Sequence, residues 1–479
     1  MQDTPTIFVI FGVTGDLAGR KILPALLNLY VKKELPTRFS IVGFARRPFT
    51  REEFRQLIRD NMHIRPGQFR EEDVKHFLDH MSYEQGQFDA KEAYVTLAQK
   101  LKSIDDSWKQ CSNKLFHLAT PPSLYEAILD RLSESGLTVP CGGDLGWTRI
   151  LIEKPFGNDV DTAKALDKKL GKLFKEQQIF RIDHYLAKES MQNILAFRFA
   201  NTLFEPLWNR HHIDKIHIKL FEKIDIEGRG ALYDSVGALK DVGQNHLLQM
   251  LALVAMDEPV SFEATPIRKE RARALSRLRP ITKRSVTKCA VRGQYEGYMR
   301  EPGVKPDSQT ETFFRLETYV DNARWKNVPF FLESGKAMSE SRVEIDVYFK
   351  NPGRRTRDRG VLERQNVLTF RIQPDDGIKI KFWVKTPGYT RGGAGAAEIA
   401  SHIDQLEPKT LKFRYSEVSD FATLPDAYER VLHDAVIGDQ TLFASTDEVV
   451  AAWKFITPIV NVWRTGVALT FYKKGAKEV

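Results

Sequence analysis

The chain of 479 residues reads as an α/β domain followed by an α+β domain. Three observations carry this. A short apolar run, a glycine turn and a helix with apolar residues at helical spacing open the chain. Further short β-rich runs, separated by helical stretches, continue to residue 182. The second half instead holds many strand-like runs with helical stretches among them, and its end returns to helices. The first pattern predicts a Rossmann-like, doubly wound sheet, since parallel neighbours need helical crossovers. The second predicts a β+α domain with a large, mostly antiparallel sheet. The boundary is drawn between residues 1–182 and 183–479.

Length supports two domains, because one hydrophobic core rarely serves so long a chain. Apolar content of 42% and aromatic content of 11% exclude a disordered chain. A net charge of +9 favours acidic partners, whether phosphorylated metabolites, nucleic acid or membrane surfaces. Cys111, Cys141 and Cys289 are too few and too scattered for a disulfide framework or a metal site, which suits a reducing compartment. The N-terminus lacks the features of a signal peptide. The apolar run Leu247–Met256 is interrupted by Gln249 and is too short to span a bilayer. The expectation is a cytoplasmic protein, not bound to membrane.

Ile7 to Phe11 lacks alternation, as a strand buried on both faces does. Gly12, Val13, Thr14, Gly15, Asp16, Leu17 and Ala18 follow, then Ile22, Leu23, Leu26, Leu27 and Tyr30 at helical spacing. Strand, glycine turn and helix together aim backbone N–H groups and a helix dipole at a phosphate. The spacing G-x-x-G-x-x-A is also that of an ordinary tight turn; its flanking strand and helix favour the phosphate reading. Phe39–Phe44 is the next strand. Arg46 and Arg47 follow it, where an NAD-binding fold usually has an acid for the ribose hydroxyl. Either they form a solvated basic loop or they meet a 2′-phosphate, which favours NADP over NAD. Residues 50–110 read as charged amphipathic helices. Strands are expected at 115–119, 147–152 and 179–182. Lys154, just past the second of these, is a surface lysine or stands at the cofactor crevice.

The densest chemistry lies in Arg181–Glu189, where Asp183, His184, Tyr185 and Lys188 stand together ahead of a helix. A helix start with a histidine and lysine beside it suits a phosphate. Lys215–Phe221 alternates as a strand and ends at Glu222. Gly237–Met256 reads as a largely buried helix carrying Asp241, Gln244, Asn245 and His246. A helix histidine is either a satisfied core residue or a base, and a carboxylate such as Asp183 would make it the latter. Asp241 and His246 are five apart, about 140° around an ideal α-helix. Arg268–Arg284 holds eight basic residues without interleaved aromatics, so it reads as a solvated helix face and nucleic acid is not expected. Strands are expected at 310–319, 343–350, 366–373, 378–385 and 411–415, with a glycine-rich connector at Pro387–Gly395.

The chain resembles glucose-6-phosphate dehydrogenase along nearly its full length. The likeness rests on Gly12–Ala18, Glu153–Gly157, Arg181–Glu189, Gly237–His246, Asp321–Phe330 and the tail from Asp426 through Phe443. It implies oxidation of C1 of glucose 6-phosphate by NADP, the first step of the oxidative pentose phosphate pathway. His246 would be the general base and Asp183 its orienting partner. His184, Tyr185, Lys188, Glu222, Asp241 and Lys336 would hold the sugar phosphate, and Lys154 would serve sugar and cofactor. Gly12 through Ala18, with Arg46, would hold NADP. No metal is implied, and a homodimer or homotetramer is. Four positions depart from the family pattern: Val13, Ala187, Glu333 for an arginine, and Ser341 where a basic residue is usual.

Overall fold

The computed structural model describes residues 4–142, 146–351, 364–387, 406–417 and 424–479. The expected connector Pro387–Gly395 lies outside them from residue 388 onward. The chain forms two compact units: Met1–Lys188 with Pro259–Lys269 and Pro425–Val450, and Glu189–Glu258 with Glu270–Leu424 and Ala451–Val479. The break falls after Lys188 rather than Ile182, and two later segments return to the first unit.

In the first unit, β1 (Thr6–Phe11), β2 (Phe39–Ala45), β3 (Met81–Gln85), β4 (Asn113–Leu118), β5 (Thr148–Ile152) and β6 (Ile179–Ile182) form a parallel sheet in the order 3-2-1-4-5-6. β1 and β4 are buried along their whole length, as helices on both faces require. The strand order reverses between β1 and β4, so the ligand crevice of this fold lies at their carboxyl ends. The tail belongs here because Phe443–Ala444 pairs antiparallel with β6, and because Lys32 on one helix meets Glu429 on another at 2.9 Å. β3 was not expected. Its sequence Met-Ser-Tyr-Glu-Gln has no apolar alternation, and it is held at the sheet edge by β2 alone.

The second unit carries β7 (Ile213–Phe221), β8 (Ala290–Tyr295), β9 (Phe313–Tyr319), β10 (Pro329–Gly335), β11 (Arg342–Phe349), β12 (Val367–Gln373), β13 (Gly377–Lys385) and β14 (Leu406–Arg414). Their order is 14-13-12-11-7-10-9-8, with Thr470–Tyr472 beside β8. The pairs β7–β10 and β8 with Thr470–Tyr472 are parallel, and the rest are antiparallel, as the sequence predicts. β8 and β10 escape a sequence reading: one has Arg and Gly inside it, and the other begins with Pro and ends in Glu-Ser-Gly.

Three expectations need correction. The stretch 237–256 is not one regular helix. Helix Gly230–Ala238 kinks at Gly237 (φ 76°), a π-helix spans Leu239–Leu247, and an α-helix continues over Leu248–Ala255. The basic stretch is not wholly solvated, since Arg268 and Arg271 are buried. Arg268 reaches Glu176 at 2.7 Å and Gln440 at 2.9 Å, which compensates its burial. Cys111 and Cys141 form a disulfide. They precede β4 and β5, which are neighbouring parallel strands, so the topology joins residues that looked scattered. No helix among the described residues is long and apolar enough to cross a membrane.

Candidate active site

The expected phosphate loop sits at the crevice. Gly12 has φ +80°, and a β-carbon there would lie 2.5 Å from the Ala119 carbonyl oxygen, so only glycine fits between β1 and β4. Its N–H donates to Phe44 at 2.9 Å, and the Gly15 N–H donates back to Gly12 at 2.9 Å. This tight cradle suits a pyrophosphate. Val13 and Ala18 are buried, and Val13 faces Gly43, where a β-carbon would come within 2.7 Å of it. The departure at Val13 is therefore absorbed by the core. Gly12 and Thr14 are partly open, and Gly15 and Asp16 are exposed. Asp16 pairs with Arg20 at 2.7 Å on the surface.

Arg46 and Arg47 leave the end of β2 with their side chains exposed. The unexpected strand β3 fixes the backbone that carries them. Tyr83 donates to Ala45 at 2.8 Å and also to the Arg47 carbonyl, while Gln85 donates to the Arg46 carbonyl at 3.1 Å. Both guanidinium groups thus stand on a braced turn.

Lys154 follows β5, and its neighbour Glu153 anchors the strand end. The buried Glu153 carboxylate lies 3.0 Å from His117 Nε2 and accepts from the Tyr428 hydroxyl at 3.2 Å. Tyr125 donates to the Glu153 carbonyl at 2.9 Å. Burial and the Glu153 charge raise the Tyr428 phenol far above its ordinary range, so it acts only as a donor here. Since Ile152 pairs with Arg181, Lys154 and Asp183 leave neighbouring strands at the same level.

Within the cluster, Arg181 turns inward to Asp167 and Glu176, at 2.7 and 2.9 Å, and is structural. Asp183 is 2% exposed. Its carboxylate accepts the Tyr185 N–H at 3.0 Å and its carbonyl accepts the Leu186 N–H at 3.0 Å. These two bonds fold 183–186 into a turn. The Lys188 ammonium lies 5.0 Å from the Tyr185 ring centre, and the His184 ring stands 4.9 Å from Tyr185 and 6.3 Å from Tyr428. Ala187 is buried, so its methyl packs inside. The helix begins at Glu189, directly after Lys188.

The second unit gathers the remaining residues. Lys336, after β10, donates to Glu222, after β7, at 2.5 Å. Its ammonium stands 5.5 Å from the Tyr233 ring. The Tyr233 hydroxyl is buried without a hydrogen-bond partner among the described residues. Its phenol is pushed well above the usual range by burial, then by the charges of Asp241, Glu311 and Glu222. Sequence reasoning missed Tyr233, which lies just before the stretch from Gly237 that was expected to be helical. His246 is 1% exposed, and its N–H donates to Asn245 Oδ1 at 2.6 Å. Asn245 in turn donates to the Asp241 carbonyl at 2.9 Å. In a π-helix the i→i+5 bonding returns positions five apart toward the same side. That corrects the α-helical estimate for Asp241 and His246. Glu333 does not stand free as a surrogate for an arginine: its carboxylate lies 2.8 Å from His217 Nε2. Ser341 accepts the Lys223 N–H at 3.0 Å.

Residues 9–193 match the model of the glucose-6-phosphate dehydrogenase NAD binding domain, and residues 195–478 match that of the C-terminal domain. The chain belongs to the glucose-6-phosphate dehydrogenase family. It is 42% identical to a glucose-6-phosphate 1-dehydrogenase of Aggregatibacter actinomycetemcomitans, over 98% of this chain and 92% of that one. A relative of the same description from Bacillus subtilis is 36% identical, over 98% and 94%. Among solved structures, a glucose-6-phosphate dehydrogenase in complex with glucose 6-phosphate has a TM-score of 0.88 at 33% identity, covering 99% of this chain and 95% of that one. The Mycobacterium avium enzyme has a TM-score of 0.83 at 32% identity, covering 99% and 94%.

Proposed function

We propose that this chain oxidises glucose 6-phosphate at C1, giving 6-phosphoglucono-1,5-lactone and NADPH, with His246 as the base. The observation that carries the reading is the match of both halves to one family, together with the buried His246 and Asp183.

In this reading NADP supplies the hydride acceptor. Gly12 through Ala18 hold its pyrophosphate, Arg46 its 2′-phosphate, and Lys154 lies between cofactor and sugar. His184, Tyr185 and Lys188 take the 6-phosphate, since a cation, an imidazole and a phenol offer donors to an oxyanion. Glu222 and Asp241 accept from sugar hydroxyls, and Lys336 orders Glu222 through their ion pair. His246 removes the proton of the C1 hydroxyl as hydride departs, and Asp183 orients and stabilises the resulting imidazolium. Holding donor and acceptor in line supplies much of the remaining acceleration.

A homodimer or homotetramer is part of the same reading. It is supported by β14, a sheet-edge strand among the described residues that leaves Leu411 and Phe413 exposed, a surface that pairing would cover. So is a cytoplasmic location, tested by cell fractionation.

The test follows the appearance of reduced nicotinamide by its absorbance, with glucose 6-phosphate and NADP. His246→Asn and unphosphorylated glucose run beside it. Turnover that needs the phosphate and is lost in the variant supports the reading. Cofactor binding without turnover on either sugar overturns it.

A further inference from the structure

The second unit holds a cavity of about 380 Å³ whose lining shares no residue with the sugar site. Lys240, Arg292, Lys305 and Arg464 stand around it, with Trp463 in its wall. We propose that this cavity is a second binding site, which takes a small phosphorylated metabolite through these four cations and the Trp463 indole N–H.

The site is built rather than incidental. Arg292 is 4% exposed. It donates to the Val467 carbonyl at 3.0 Å and to the Gln309 carbonyl at 3.1 Å, tying together the two loops that border the cavity. These partners are neutral, and the acid whose charge acts on it is Glu311. Neither Arg292, Lys305 nor Arg464 has an ion-pair partner among the described residues, and Lys305 and Arg464 are exposed at the rim. Trp463 is 3% exposed, and its Nε1 has no hydrogen-bond partner there either. A buried N–H without an acceptor is costly, and an oxyanion in the cavity would supply one.

The four cations of the wall outnumber its three acids, Asp234, Asp307 and Glu311. Asp234 accepts from the Tyr298 hydroxyl at 3.0 Å and from the Ser308 hydroxyl, neutral donors that hold it in place and leave its charge. Glu311 is buried, spends an oxygen on the Leu239 N–H at 3.0 Å, and is pushed toward its neutral form by burial. Asp307 is exposed, so solvent screens its charge. Cavities of roughly 300–1,000 Å³ suit small ligands, and clustered cations in such a wall focus an anion.

The test titrates pyrophosphate into the full chain by calorimetry, with saturating glucose 6-phosphate and saturating NADPH, so that the sugar and cofactor sites are both filled and nothing turns over. The expected result is one pyrophosphate per chain, with affinity reduced at least about tenfold in the pair Lys305→Glu with Arg464→Glu. Both residues are exposed, so the pair should fold normally. Pyrophosphate should also change tryptophan emission, and Trp463→Phe should remove that change. No binding once glucose 6-phosphate and NADPH are saturating, or equal affinity in the charge-reversed pair, overturns the proposal.

Discussion

Lys336 places its ammonium 2.5 Å from Glu222 while facing the Tyr233 ring at 5.5 Å. The lysine is buried and the carboxylate is partly open, so the pair points one ordered acceptor outward. Lys336→Ala should therefore release Glu222 and weaken sugar binding. Hydrogen bonds to charged groups are worth about 1.5–3 kcal/mol, so KM for glucose 6-phosphate should rise roughly 10- to 100-fold. Steady-state kinetics should show kcat falling much less. An equal loss in kcat would move Lys336 into the chemistry itself.

His246→Asn keeps a polar side chain at a buried position but has no group that can take a proton. General-base catalysis contributes about 10²–10⁴-fold, and kcat should fall by that factor. NADP affinity, measured by fluorescence titration, should stay within about twofold, because this variant removes no cofactor contact proposed here. A variant with near-normal turnover would leave His246 as a core residue.

Much of the first unit was legible because its signals are local. Gly12 between a strand and a helix, and unbroken apolar runs such as Ile7–Phe11, announce a parallel sheet directly. β3 was not legible, because this edge strand, with only Met81 buried, is stabilised by β2 rather than by its own pattern. The residues of the candidate site were legible as chemistry, while their local geometry was not. The π-turns at 239–247 depend on Gly237 and Glu311, which are far apart in sequence. Tyr233 was invisible for the same reason: only the fold brings its phenol beside Lys336. The Cys111–Cys141 pairing likewise depends on β4 lying next to β5.

The Tyr233 hydroxyl is buried without a hydrogen-bond partner among the described residues, so it carries a desolvation cost that phenylalanine would not. Tyr233→Phe should stabilise the substrate-free protein, on the order of 1 kcal/mol, as read from urea denaturation. If the hydroxyl serves the sugar, the same variant should raise KM for glucose 6-phosphate. A loss of stability would mean that the hydroxyl is satisfied in solution.

Glu311 caps the π-helix that leads to His246, through the Leu239 N–H at 3.0 Å. Burial raises its folded-state pKa above the ordinary 4.5. Between the unfolded and folded values the folded chain holds a proton that the unfolded chain has released. Stability from this group is therefore complete below the unfolded value and falls as pH rises through the folded one. Glu311→Gln keeps an acceptor for Leu239 and cannot ionise. Its urea midpoint should depend less steeply on pH above 4.5 than that of the parent chain. An equal slope in the two proteins would assign the pH dependence to other groups.

Arg46 and Arg47 stand exposed on a turn whose carbonyls are held by Tyr83 and Gln85, and no acid follows β2 to take a ribose hydroxyl. Removing both charges should penalise NADP and spare NAD, since only the former carries a 2′-phosphate. Charge-assisted hydrogen bonds of about 1.5–3 kcal/mol imply that KM for NADP rises roughly 10- to 100-fold in Arg46→Ala with Arg47→Ala, with KM for NAD nearly constant. Tyr83→Phe should give a weaker shift in the same direction, because it loosens the turn without removing a charge. Comparing kcat/KM for the two cofactors across the three proteins checks this. A parallel loss for both cofactors would mean that the arginines hold the turn and not the phosphate.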